Sequence, residues 1–308
     1  MATIGYATLP IIPSFRGAEV AFASAGAKFG GLFGGLFAST AGAALVGAGL
    51  FAKLGLDAAE AQRILRVETG LTGEAFASLW SEGRDVMRRV PDGMDDIAVA
   101  LGGLNTRLGL TGDTAEDAAV QFLNLSRLTG TDLEGNIASV TRAFGDWGVG
   151  VDAMPGRLDS LFRASQATGI PVAKLGDQLV QFGAPLRQLG FTLDESTALL
   201  GKFEREGVNS ELVMGSLRIA LGRLAHDGEN APDAFRRITD EIANMEDPTA
   251  ATALALELFG ARAGPDMAAA LREGRFEVGD LFAVVASGGE TINGVAADTE
   301  LLGEKWGR

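Results

Sequence analysis

From Asp57 onward apolar residues recur with a helical period, and glycines cut that period into runs of roughly 10–17 residues. A chain punctuated this often cannot form one long rod. It has to fold as many short helices. Leu133, Ile137, Val140 and Phe144 fall at i, i+4, i+7 and i+11, one stripe of a helix. Thr131 with Glu134 predicts a capping box ahead of that stripe, and Gly145 predicts its end. Ala115, Ala118, Ala119, Phe122 and Leu125 make a second stripe that closes at Gly130, and Leu158, Leu161, Phe162 and Ser165 a third that closes at Gly169. Thr192 and Glu195 predict the cap of a further helix, which Gly207 ends, with Val208 placed to touch Phe203 in a Schellman motif. The brief connections favour antiparallel neighbours. Strand signals after residue 56 are nearly absent. The expected fold is therefore all-α: an array of short antiparallel helices with glycine-stopped ends, preceded by an N-terminal extended arm and an apolar helical segment.

Part of the array matches itself. A shift of 39 residues superposes Ala119 on Leu158, Phe122 on Leu161, Leu123 on Phe162 and Ser126 on Ser165. Thr129-Gly130 then lands on Thr168-Gly169, and Leu133 and Val140 land on Val172 and Leu179. The period suits a two-helix unit of the α-solenoid kind. The match fades on both sides, and any helical array punctuated by glycine produces some such matches. Both readings stay open at this level.

Between Lys28 and Lys53 the chain carries no charged side chain. Phe29 to Ala52 reads FGGLFGGLFASTAGAALVGAGLFA, which is long enough to span a bilayer as a helix. Its glycines weaken a helix in water but allow close helix packing in lipid. Gly30/Gly34 and Gly31/Gly35 have the small-xxx-small spacing for that packing, and Phe33, Phe37, Leu45 and Phe51 supply bulk. These eight residues are the candidate membrane-inserting or helix-packing set. A buried hairpin or a Gly/Ala linker is the competing reading of the same segment. The preceding TIGYATLPIIPSF is β-like, and Pro10 and Pro13 suit an edge strand or an arm lying on a partner.

The net charge is −14, yet residues 1–56 carry +2, so the remainder carries −16. An acidic body repels phosphate, and specific nucleic-acid binding is not expected. Cysteine is absent, which excludes disulfides and thiolate metal sites. Catalysis has little to build on. His226 is the only histidine and sits in LAHDGEN, where it is expected to cap a helix end. The pairs Asp95-Asp96 and Glu116-Asp117 lie early in predicted helices, where the helix dipole favours them. GGLFGG and GVG lack the strand and the Gly-Lys-Ser/Thr of a phosphate loop. Trp80, Trp147 and Trp306 are spread along the chain as core or interface anchors. No enzyme, metal or cofactor is expected.

The opening ATIGYATLPIIPSFRG resembles the start of tail tape-measure proteins of long-tailed bacteriophages. The succession LTGEAFASLW, LTGDTAEDAAVQFLNLSRLTGTDLEGNIASVTRAFGDWGV and ATGIPVAKLGDQLVQFGAPLRQLGFTLDESTALLGKFEREGV is similar to the helical region of that family, as is ALELFGARAG near residue 260. The closing DTELLGEKWGR resembles the place where that region gives way to a further helix. No single motif is sharp, and the ordered succession carries the resemblance. It implies a structural virion protein that occupies the tail lumen, governs tail length during assembly and aids genome passage across the host membrane. It implies tail-tube, tail-tip and tail-assembly chaperone proteins as partners, a homo-oligomer, and contact with the host membrane during infection. The implied locations are the tail lumen, the host cytoplasm during assembly and the host membrane on ejection. Tape measures usually run on for many hundreds of residues, so a fragment or a naturally short form is expected.

The corresponding organisation is an extended arm over 1–28, the apolar segment over 29–56, a helical body over 57–275 and a helical extension over 276–308. A membrane-active pore or translocation protein unrelated to tails is the alternative, since it would use the same apolar segment. Long heptad-rich sequence downstream would favour the tape measure over it.

Overall fold

The computed structural model describes residues 57–208, 210–276, 282–285 and 289–299. The extended arm and the apolar segment, with Gly30, Gly31, Phe33, Gly34, Gly35, Phe37, Leu45 and Phe51, lie outside the described residues, as does Trp306. Among the described residues there is no strand, and the all-α expectation holds. The order is α1 (57–69), α2 (Gly73–Val86), α3 (Met94–Leu108), α4 (Gly112–Thr129), α5 (Leu133–Asp146), a 3₁₀ turn (Val151–Ala153), α6 (Met154–Thr168), α7 (Val172–Gln188), α8 (Leu193–Arg205), α9 (Ser210–His226), α10 (Ala231–Asn244), α11 (Pro248–Arg272) and α12 (Ile292–Thr299). Helix α11 is two helices joined at Gly260, whose φ of 81° and ψ of 170° break the helical path.

Thr-Gly is the recurring stop, for a local reason. Thr69, Thr129 and Thr168 each donate Oγ1–H to the carbonyl four residues back, at 2.6, 2.7 and 2.6 Å. The hydroxyls of Thr69 and Thr168 also accept the N–H two residues on. The glycine between, Gly70, Gly130 or Gly169, takes the left-handed conformation that lets the chain turn away.

Gly207 behaves as expected: the Val208 N–H reaches the Phe203 carbonyl at 2.8 Å, and the Gly207 N–H the Glu204 carbonyl, a Schellman pair. The Thr192–Glu195 capping box is formed on both sides.

Two local expectations are corrected. Asp132, not Thr131, caps α5, accepting the Gly135 N–H at 2.6 Å. The third helical residue is then Gly135, which has no side chain to reach back, so there is no box with Glu134. Gly145 lies inside the last turn of α5, and the stop falls at Gly148. Trp147 continues the turn, and the Val149 N–H closes on the Phe144 carbonyl at 2.9 Å. Gly145 keeps a negative φ and needs no special backbone.

The 39-residue step extends beyond the sequence match. Gly70, Gly109 and Gly148 are left-handed stops of α1, α3 and α5, each 39 residues from the next. Gly73 and Gly112 open α2 and α4 at the same step, and Met94, Leu133 and Val172 open α3, α5 and α7. Packing follows the step: α2 lies on α4, α4 on α6 and α6 on α8, while α3 lies on α5, α5 on α7 and α7 on α9. Most successive helices of the two rows also touch, so the body is a two-layered stack of helical hairpins. Even the polar bonds repeat. Gln121 of α4 donates to the carbonyl of Pro155 and to Oδ1 of Asp159, 34 and 38 residues ahead, both at 2.9 Å. Ser139 of α5 donates to the carbonyl of Ala173 and can donate to Oδ1 of Asp177, again 34 and 38 residues ahead, at 2.6 and 2.5 Å.

Close approach between α5 and α7 depends on glycine. A Cβ on Gly176 would stand 2.8 Å from the Ser139 Oγ and 3.1 Å from its carbonyl carbon. Further along the same pair, the Trp147 indole covers Gly183, donates to the Leu179 carbonyl at 3.3 Å and carries the Arg187 guanidinium over its ring. The stack gives way to α9, α10 and α11, which pack on one another. There Phe235 sits between Phe191 and Phe259 in edge-to-face contacts with centroids 6.2 Å away on each side.

Candidate interaction surface

The residues singled out for chemistry are dispersed. His226 ends α9 with 90% of its side chain exposed, and its ring faces Asp227 at 3.5 Å. It does not cap the helix as expected. Gly228 at φ 91° does, with the Glu229 N–H on the Leu224 carbonyl. Backbone groups close that end, leaving the imidazole in water.

Asp95 and Asp96 lie in the first turn of α3, where the helix dipole favours them. Lost hydration, and then the charge of Asp95, raises the Asp96 carboxyl above its ordinary range. Glu116 and Asp117 fall in the second turn of α4 and share Arg89, at 3.8 and 2.5 Å. Burial is the main reason that Glu116 is also raised. Repulsion from Asp113 adds to it, and Arg89 works the other way. Trp80 and Trp147 are packed against the core. Among the described residues no cluster of three or more histidine, aspartate or glutamate side chains is arranged to hold a metal. Nor is any described helix long and apolar enough to cross a membrane.

What the structure does bring together is surface. A groove of about 480 Å³ runs between α9, α10 and α11, floored by Leu224, Ile238, Leu254 and Leu258. Ile219 stands at its edge, 54% exposed, and Arg223, Arg237, Glu241 and Glu257 border it.

A second junction lies on the α4–α6 face. There Asp159, only 8% exposed, and Arg163 receive residues from the far end of the chain. Sequence reasoning missed both. In GRLDSLFRASQ they read as an ordinary aspartate–arginine pair four apart on a solvated helix face. Nothing local signals that a segment more than 120 residues away covers them.

A sequence profile of the phage-related minor tail protein family matches residues 84–260, more than half of the chain. The chain belongs to that family. The match begins inside α2 and ends at the Gly260 break in α11, so it takes in the greater part of the hairpin stack and the groove-bearing helices. No curated protein and no solved structure matches the chain. As a tail protein it has a structural role in the phage tail and a place in the virion among other tail components.

Proposed function

We infer that this tail protein is a tape-measure protein: it occupies the tail lumen, governs tail length during assembly, and assists the genome across the host membrane without catalysing a reaction. The family match over residues 84–260 supports the coarser part of the reading, a phage tail protein. The observation that carries the finer part is the ordered succession of helical segments resembling tape measures. The compact stack of short helices sets a limit, since a body of glycine-stopped hairpins is not itself an extended ruler. The stack is the part that tail-tube, tail-tip and chaperone proteins would hold, and any ruler would be a longer helical region.

The test is a nonsense codon early in the gene, in phage grown on a non-suppressing host and viewed by electron microscopy. The expected result is heads without tails, or tails of scattered length. Tails of normal, uniform length would refute the tape-measure reading while leaving membership of the tail family untouched.

The four-part organisation is proposed on the same footing. Phe29 to Ala52 is the membrane-seeking part, with Gly30, Gly31, Gly34 and Gly35 packing helices and Phe33, Phe37, Leu45 and Phe51 facing lipid. Deleting 29–52 should leave tails intact and stop DNA entry. Normal infectivity of that deletion would remove the membrane role.

A further inference from the structure

Residues that follow the matched region return to the middle of the stack, where side chains of α6 hold their backbone. Helix α12 packs on α4. Asp159 Oδ1 accepts the backbone N–H of Ile292 at 2.9 Å while also accepting from Gln121. One turn on, Arg163 donates through Nη2 to the carbonyl of Val285 at 3.0 Å and through Nη1 to that of Glu290 at 3.3 Å. The Asn124 amide donates to the Asn293 side chain at 2.9 Å. Val285 and Ile292 are fully buried, and Ala296 nearly so.

Two charged side chains on α6 are thus committed to main-chain groups of a remote segment. A buried charge is costly unless it has partners, and here much of the partnership comes from backbone. Main-chain bonds supply affinity with little demand on sequence, while the seats under alternate side chains select. Among the described residues, selection on this face falls to Val285, Ile292 and Ala296, with Val295 packed beside them, and one amide pair. The resident segment also leaves Arg163 Nε buried without an acceptor. Few anchors and an unused donor are the features of a contact that opens before the stack does.

We propose that the face formed by α4 and α6 is a peptide-binding site that reads main-chain groups through Asp159 and Arg163. The stretch that carries Val285, Glu290, Ile292 and Asn293 is its resident occupant, and the same stretch of a second copy of this chain is its exchange partner. Exchange of an identical element between copies needs no new chemistry, because the seat and the occupant are already matched. The resident has the advantage of a tethered ligand, whose effective concentration is on the order of millimolar. Exchange is therefore favoured where copies are crowded together or where the resident is weakened.

The test uses the full chain and a fluorescent synthetic peptide of residues 282–299, followed by anisotropy. Ile292→Asp in the chain weakens the resident and leaves α4 and α6 unchanged. It should tighten peptide binding by about tenfold or more over the unsubstituted chain, because the tethered competitor is lost. Hydrogen exchange along 154–168 should rise in Ile292→Asp and fall again when peptide is added. On that background Asp159→Asn with Arg163→Gln should abolish binding. If circular dichroism shows that this pair unfolds the chain, Arg163→Lys decides instead: it keeps the charge, loses the fork and should weaken binding about tenfold. Failure of the Ile292→Asp chain to bind peptide would overturn the proposal, as would binding unmoved by the substitutions at 159 and 163.

Discussion

Adding one methyl group at Gly176 should destabilise the protein, while the same change at Gly145 should stabilise it. Both glycines lie in helices, both have negative φ, and helix propensity alone favours alanine at each by about 1 kcal/mol. Their surroundings differ. Nothing lies within 4 Å of a Cβ built on Gly145, so the propensity gain there is unopposed and Gly145→Ala should gain about 0.5–1 kcal/mol. On Gly176 the new carbon would meet Ser139 Oγ at 2.8 Å, its carbonyl carbon at 3.1 Å and its Cβ at 3.3 Å. Ser139 cannot rotate aside without cost, because its hydroxyl is held by the Ala173 carbonyl and by Asp177. Even then the α5 backbone is in the way, and α5 has to move. Overpacking of this kind costs about 1–3 kcal/mol, and a hydroxyl pushed off its partners adds about 0.5–1.5 kcal/mol. After the propensity gain the net loss for Gly176→Ala is about 1–3 kcal/mol. Urea unfolding of the full chain, followed by helical circular dichroism at unchanged m, measures both variants. If Gly176→Ala is as stable as Gly145→Ala, the two helices are not in the contact described.

Thr192→Ala removes the acceptor for the Glu195 N–H and breaks the reciprocal box, so it should cost about 1 kcal/mol in the same unfolding assay. Phe235→Ala empties a fully buried seat between Phe191 and Phe259 and should cost about 3–5 kcal/mol, read as a clear fall in the melting midpoint. Glu116→Gln carries a pH signature. The folded-state carboxyl is raised, so the folded protein holds that proton more tightly than the unfolded chain does. The penalty of ionised Glu116 is therefore present at neutral pH and fades as pH falls through the raised value towards the ordinary 4.5. Melting scans should show the stability of the unsubstituted chain rising relative to Glu116→Gln over that window, and a gap that widens in the opposite direction would refute the assignment.

Helix type, approximate length and most stops were legible in the sequence because they depend on neighbours within a turn. A threonine hydroxyl reaching back four residues, a left-handed glycine and a capping glutamate are all local chemistry. The two errors at α5 were local as well. Asp132 and Gly148 each lie within a few residues of Thr131 and Gly145, and only the closed turn shows which neighbour takes the cap or the stop. The 39-residue step was visible only over the middle of the chain, where side chains as well as stops repeat. Elsewhere the geometry repeats and the side chains do not, because a hairpin needs its glycines in register but can fill its faces with any apolar set.

Tertiary structure alone decided which helices meet. Gly176 and Gly145 look alike in sequence, and only the approach of α5 to α7 makes one necessary. Asp159 and Arg163 have the spacing of a surface ion pair, yet folding brings Val285, Glu290 and Ile292 over them and turns a buried aspartate and a half-buried arginine into holders of backbone. A side chain's role of that kind is set by what covers it, and the covering residues are more than 120 positions away in the chain.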